Sequence, residues 1–262
     1  MALTPEQVEQ FVETGFVKLE RAFSVDVGEQ CRGELWNAAG VSPDDASTWT
    51  RSYIRLGAFT SPPFRQAANT AALHEAFDQL VGPGRWIAPN GLGTFPLRFP
   101  STDAPLEAGW HVEAGFSGPQ GEPRLNLRSR ERALLMLFLF SEVGPDDAPT
   151  MVRAGSHLDV PQFLQPAGDA GLPWMTLCER VVPVGAHRRV ALVTGSLGDV
   201  YLCHPFLVHS GSAHRGRTPR FMAQPPLRPI GLLNLESPQP TPVERAVMNG
   251  LRHMRPRAPT VI

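Results

Sequence analysis

A mainly β fold with flanking helices, its strands arranged as an antiparallel sandwich or barrel, is what this 262-residue chain predicts. Three observations lead there. From Trp86 onward, short apolar or alternating segments recur between Gly, Pro, Asp and Ser, the rhythm of antiparallel strands rather than of alternating strand–helix units. Ahead of Trp86 the apolar residues fall instead at helical spacing. Near the end, "PTPVERAVMNGL" brings helix-start chemistry back once more.

The first helix opens at Thr4, whose hydroxyl suits an N-cap; Pro5 fits the first helical position and Gln7 completes a capping box. Val8, Phe11 and Val12 form its apolar face and Gly15 ends it. A second helix is expected from Val25 to about Ala38. A third is expected from Arg65 to Val81, with Leu73, Phe77 and Leu80 facing inward, until "GPG" at 82–84 stops it. Strands are then expected in "RWIAPNGLGTFPLRF", "GWHVEAGF", "ALLMLFLFSEV", "TMVRAGSH", "RVALVTGS", "DVYLCHPFLVHS" and "RFMAQPPL". Thr241, Pro242 and Glu244 take capping positions for the closing helix. No repeat, low-complexity tract or linker divides the chain. It reads as one domain over 1–262: a helical part at 1–84, a β-core at 85–236, and a C-terminal helix and tail at 237–262.

An apolar fraction of 42% with 19% charged residues describes an ordinary globular chain rather than a disordered one. A net charge of -1 removes the electrostatic basis for nucleic acid or an anionic membrane as partner. "ALLMLFLF" at 133–140 is too short to span a bilayer, and "MALTPEQVEQ" lacks the basic and apolar regions of a signal peptide, so the expectation is cytoplasmic. Cys31, Cys178 and Cys203 form no CxxC pair, which leaves reduced thiols as their reading. Lys18 is the sole lysine, so any buried anion site later in the chain falls to arginine or histidine.

"GWHVEAGF" at 109–116 sets His111 and Glu113 two positions apart. In a strand, residues i and i+2 share a face, so both side chains can converge on one metal ion. A third ligand has to come from elsewhere, and "GDVYLCHPFLVHSGSAHRGRTPRF" offers His204 and His209. Their interval of five puts them on opposite strand faces unless Pro205 distorts the strand, so one of the two is expected at the site. Two histidines and a carboxylate are the facial triad that leaves open positions on Fe(II), whereas structural zinc wants a fourth ligand, usually sulfur. The ordinary alternative for each histidine is a structural role, and for each arginine a surface salt bridge.

Taken together, these segments resemble the phytanoyl-CoA dioxygenase family of Fe(II)- and 2-oxoglutarate-dependent oxygenases. The likeness begins in "LTPEQVEQFVETGFVKLERAFS" and continues through "GWHVEAGF", "FLFSEVGPDDAPTMVRAGSHLDV" and "GDVYLCHPFLVHSGSAHRGRTPRFMAQPP". "GSH" at 155–157 is similar to the family's PGSH turn, with Ala154 where proline is usual. The resemblance implies a double-stranded β-helix, a jelly-roll barrel with helices packed outside. It implies His111, Glu113 and His209 as catalytic iron ligands, and Arg220, eleven residues after His209, as the anchor for the far carboxylate of 2-oxoglutarate. His204 and Arg215 share that interval; "HSGS" and "TPRF" favour the first pair. A guanidinium fork suits a carboxylate and keeps its charge when buried.

Three positions depart from the family pattern. Glu113 replaces the usual aspartate, Val112 stands where glutamine is common, and Gly211 stands where serine is common. Ser210, Ser212 or Thr150 can supply the missing hydroxyl contacts to the co-substrate, and Arg98 or Arg128 can reach an anion from segments bordering the cavity. His157 reads as structural or as support to the site, His214 as a loop residue, and Trp110 as packing that faces away from the metal. The activity implied is oxidation, by default hydroxylation, of a small organic or natural-product substrate by dioxygen, with release of succinate and carbon dioxide. The rival is a degenerate jelly roll that binds a ligand or partner without catalysis; a cupin-like isomerase or hydrolase on another metal would not need Arg220.

Overall fold

The computed structural model describes residues 1–102, 105 and 108–253; the tail expected after the closing helix lies outside them. Helix α1 (Pro5–Thr14) opens on the expected capping box, with Gln7 N donating to the Thr4 hydroxyl and Thr4 N donating to the Gln7 amide oxygen. It ends at Gly15, where φ is +86° and a Cβ would meet His157 Nδ1 at 2.5 Å. Strand β1 (Phe16–Leu19) follows, in the opening segment whose resemblance implies a helix and then a strand, and after it come α2 (Val25–Ala39) and β2 (Tyr53–Leu56), the latter not expected. The single helix expected over 65–81 is two, α3 (Pro62–Ala68) and α4 (Ala71–Val81). The break comes from side-chain chemistry: the Thr70 hydroxyl accepts from Leu73 N and donates to Ala22 O at 2.7 Å, capping a new helix where spacing alone continued the old one.

The β region comprises β3 (Trp86–Ile87), β4 (Phe95–Arg98), β5 (Phe116–Ser117), β6 (Pro123–Leu125), β7 (Leu134–Leu139) and β8 (Met151–Arg153). It continues with β9 (Leu172–Pro173), β10 (Val190–Leu192), β11 (Val200–Cys203), β12 (His209–Ser210), β13 (Met222–Ala223) and β14 (Pro226–Pro229). Two helices interrupt it where only strands were expected, α5 (Pro161–Leu164) and α6 (Trp174–Val184); α7 (Pro242–His253) closes the described chain.

Two layers organise these strands. In the first, β1, β11 and β7 run antiparallel, and β13 and β14 line the other edge of β7. The residues flanking β13 also pair with β4 and the residue before it, Arg220 with Arg98 and Gln224 N with Thr94 O, and β4 pairs with β2. In the second layer, β10, β8 and β12 are joined by His111, which pairs with His209. The chain crosses between layers repeatedly, from β4 to His111, to β7, to β8 and β10, to β11, to β12 and back to β13.

Packing follows the two faces of β7, a run buried along its whole length. Leu135, Leu137 and Leu139 join Val152, Val193, Tyr201 and Met222 between the layers, while Met136 and Phe138 join the helical side with Phe11, Phe23, Leu35 and Phe77. Burial on both faces explains why this segment reads as continuous apolar sequence rather than as alternation. Among the described residues no helix is long and apolar enough to cross a membrane.

Candidate metal centre

His111 and His209 are directly opposed in antiparallel register, each backbone N–H donating to the other's carbonyl, at 3.0 and 2.9 Å. Opposed residues point to one face, and the two rings lie 4.4 Å apart. Glu113, two positions on from His111, turns its Oε1 to within 3.4 Å of His209 Nε2 and 4.0 Å of His111 Nε2. One ligand atom from each of the three residues lies within 4.8 Å of the others.

Both rings are oriented in the same way. His111 Nδ1 lies 2.7 Å from Gly109 O, and His209 Nδ1 lies 3.0 Å from Leu207 O, each a carbonyl two residues back. A carbonyl only accepts, so Nδ1 carries the hydrogen in each ring and the neutral Nε2 offers a lone pair. Gly109 is itself held, its N–H donating to the Ser210 hydroxyl. Two imidazole lone pairs and a carboxylate oxygen therefore converge, and such a set is satisfied by a cation. Burial pushes the Glu113 carboxyl up, but when His209 Nε2 carries a proton in place of a metal its hydrogen bond to the carboxylate, together with the charges of Arg132 and of the protonated rings of His209 and His111, outweighs burial and holds the group at about 2. The carboxylate is thus ionised and fit for a metal. The donor set, two nitrogens and one oxygen without a thiolate, suits Fe(II) better than structural zinc.

A second opposed pair faces the same space. Arg98 and Arg220 exchange backbone hydrogen bonds of 3.1 and 2.8 Å, and both line a cavity of about 500 Å³ with His111, Glu113, Thr150 and His209. Arg220 is buried, its Nη1 donating to Ala148 O at 2.7 Å and its Nη2 to Pro96 O at 2.8 Å. Arg98 is also buried, its guanidinium 5.0 Å from the Tyr53 ring, not the surface arginine that its ordinary role predicts. Arg128 does lie at the surface, against Leu233 O and Glu236. Ser212 is not among the residues lining the cavity; its hydroxyl donates to Pro149 O and it borders the adjoining surface pocket.

His204 stands apart from this site. Its Nδ1 accepts from Phe206 N and its Nε2 faces Val243 O, deep against the rings of Phe11, His157 and Phe206. His157 is buried as well, with Nε2 on Val12 O, and His214 turns its Nε2 to Thr218 O. The Trp110 ring carries the Arg153 guanidinium at 4.2 Å. Two residues at the site have no signature in the sequence. Arg132 Nη2 lies 3.4 Å from Glu113 Oε2. Trp174, at the start of α6, donates its indole N–H to Val112 O and sets its ring edgewise to His111, 6.0 Å away.

Neither a family model nor a curated protein sequence matches the chain. Solved structures do. HygX from Streptomyces hygroscopicus with nickel and 2-oxoglutarate bound is 20% identical with a TM-score of 0.55, over 85% of this chain and 86% of that one. The epimerase SnoN in complex with Fe3+, alpha ketoglutarate and nogalamycin RO is 19% identical with a TM-score of 0.59, over 84% and 80%. EctD from S. alaskensis in its apoform is 24% identical with a TM-score of 0.54, over 85% and 76%. At these identities the likeness is one of fold.

Proposed function

We propose that this chain is a non-haem Fe(II)- and 2-oxoglutarate-dependent dioxygenase that oxidises, most simply by hydroxylation, a small organic or natural-product substrate. The observation that carries the reading is the convergence of His111 Nε2, His209 Nε2 and Glu113 Oε1 in a cavity that also holds a buried arginine pair. Residues 1–262 form one oxygenase domain of the phytanoyl-CoA dioxygenase type, and the alternate crossing between two layers supports a double-stranded β-helix.

His111, Glu113 and His209 would hold the iron. Iron bound there supplies the redox chemistry that couples oxidative decarboxylation of 2-oxoglutarate by dioxygen to oxidation of the substrate, with succinate and carbon dioxide as co-products. The chain's own groups do the positioning. Arg220 takes the far carboxylate of 2-oxoglutarate on the second hydrogens of its terminal nitrogens, the first being given to Ala148 O and Pro96 O. Arg98 and Thr150 add donors on the same wall, so two cations oppose the two negative charges of the co-substrate. Ser212 acts one step back, through the carbonyl preceding Thr150. Trp174 and Met175 give the cavity an apolar side on which a substrate body can lie and from which water is excluded. The structures similar in fold with bound hygromycin B or nogalamycin RO support a substrate of that general size.

Anaerobic titration of the apoprotein with Fe(II) and then 2-oxoglutarate tests this reading. A visible charge-transfer band is expected in the wild type, and its loss in His111→Ala and in Arg220→Ala. Without a band and without stoichiometric iron in the wild type, the chain is instead a ligand-binding jelly roll.

A further inference from the structure

The turn between β6 and β7 delivers an arginine to the carboxylate of the triad. Ser129, at φ +45°, donates its hydroxyl to Arg132 O, and the next residue, Ala133, donates its N–H to Leu227 O at 2.7 Å. The peptide group that follows Arg132 is therefore held at both its oxygen and its N–H, and the Arg132 side chain is 13% exposed. Nη2 reaches Glu113 Oε2 at 3.4 Å; Nε and Nη1 are buried and have no hydrogen-bond partner among the described residues. Burying a guanidinium is costly unless a charge compensates it, and Glu113 is the one carboxylate paired with it among the described residues.

The two oxygens of Glu113 have different partners. Oε1 faces both histidines, and Oε2 faces Arg132. Aspartate would withdraw the carboxylate by one carbon–carbon bond, about 1.5 Å, out of reach of an arginine whose backbone cannot follow. We infer that Arg132 is a positioning residue matched to glutamate at position 113: by holding Oε2 it fixes the rotation of the carboxylate and presents Oε1 alone to the metal. This rests on the reading of His111, Glu113 and His209 as a metal site. It accounts for the HxE spacing, because the extra methylene is taken up by a partner anchored to meet it.

The test is Co(II) binding to the metal-free protein, followed by calorimetry and by the visible d–d spectrum, with near-ultraviolet circular dichroism reporting the fold. Arg132→Gln is expected to weaken Co(II) binding by about 10- to 100-fold, the usual cost of losing a partner that orients a ligand, and to alter the d–d spectrum. In a Glu113→Asp background the same substitution is expected to change affinity by less than about threefold. Equal losses in both backgrounds, or wild-type affinity in Arg132→Gln, overturn the matched role. Should Arg132→Gln not fold, Arg132→Lys carries the test, since it keeps the charge and loses the fork. A loss of about fivefold or more in the otherwise wild-type protein, and none in the Glu113→Asp background, supports the inference; no difference between backgrounds overturns it. Wild-type protein that binds no Co(II) removes the metal reading itself, an outcome distinct from a silent Arg132.

Discussion

In His111 and His209 the nitrogen turned away from the site decides what the other can do. A hydrogen on Nδ1, required by a carbonyl two residues back, leaves Nε2 as a donor to metal. Loss of the carboxylate should therefore be felt more than its shortening: Glu113→Ala is expected to abolish stoichiometric Fe(II) binding, and Glu113→Asp to retain it, as measured by iron content after gel filtration. Arg220→Ala is expected to weaken 2-oxoglutarate binding at least about 100-fold, some 2.8 kcal/mol, by calorimetry on the iron-loaded protein; unchanged affinity would rule out this anchor. The pair at 111 and 113 is legible in the sequence because a two-residue interval has one meaning in a strand. Spacing alone does not choose between His204 and His209, because a turn at Pro205 and Phe206 resets the register between them; the resemblance of "HSGS" and "TPRF" favours His209, and packing encloses His204 between Phe11 and Val243. Arg132 is invisible for another reason: it comes from a turn, where no periodicity says which way a side chain points.

Elements whose ends carry side-chain signals are the ones the sequence announces well. The α1 box of Thr4 and Gln7 and the α7 box of Thr241 and Glu244 both form as read. Thr70 carries the same chemistry but sits inside an unbroken apolar spacing, which hides the break between α3 and α4. Thr70→Ala is expected to cost about 1 kcal/mol, measured by urea unfolding; no loss would show that packing alone defines the break. Helix α6 lacks every such sign: no side chain caps it, Pro173 precedes it and Pro183 lies within it. Its position is set instead by tertiary contacts, among them the Trp174 indole on Val112 O. At the end of α1, Gly15→Ala meets both a left-handed backbone and the His157 ring, and should destabilise the protein by about 2 kcal/mol or more, again read from urea midpoints.

Across the whole molecule, the fold class is legible in the rhythm of short segments, but the alternation between two layers is not, since each partner strand lies far away in sequence. The buried histidines of the α1–α7 side give the molecule a defined response to acid. Burial holds His157 at about 4, the Val12 carbonyl opposing it and the nearby Arg188 adding to it; burial and then His157 hold His204 well below the usual imidazole range too. An unfolded chain binds protons at these histidines near pH 6.5, which the folded chain refuses until much lower pH. Protons thus favour the unfolded state as pH falls from about 6.5 toward 4, and His157 alone should remove about 2 kcal/mol of stability by pH 5. Urea midpoints at pH 7 and pH 5 test this, and His157→Asn should flatten the difference. The crossing between layers has one more effect. Arg98, His111 and Glu113 precede the exposed turn at 144–147, while Thr150, His209 and Arg220 follow it. Each opposed pair therefore takes one member from either half of the polypeptide, so neither half alone possesses a binding site. On the metal reading proposed above, affinity would measure how firmly the two halves are joined: a chain emerging from synthesis completes the His111, Glu113 and His209 cluster only when the last strands close, and after a nick at that turn a bound metal would be the rivet between two fragments.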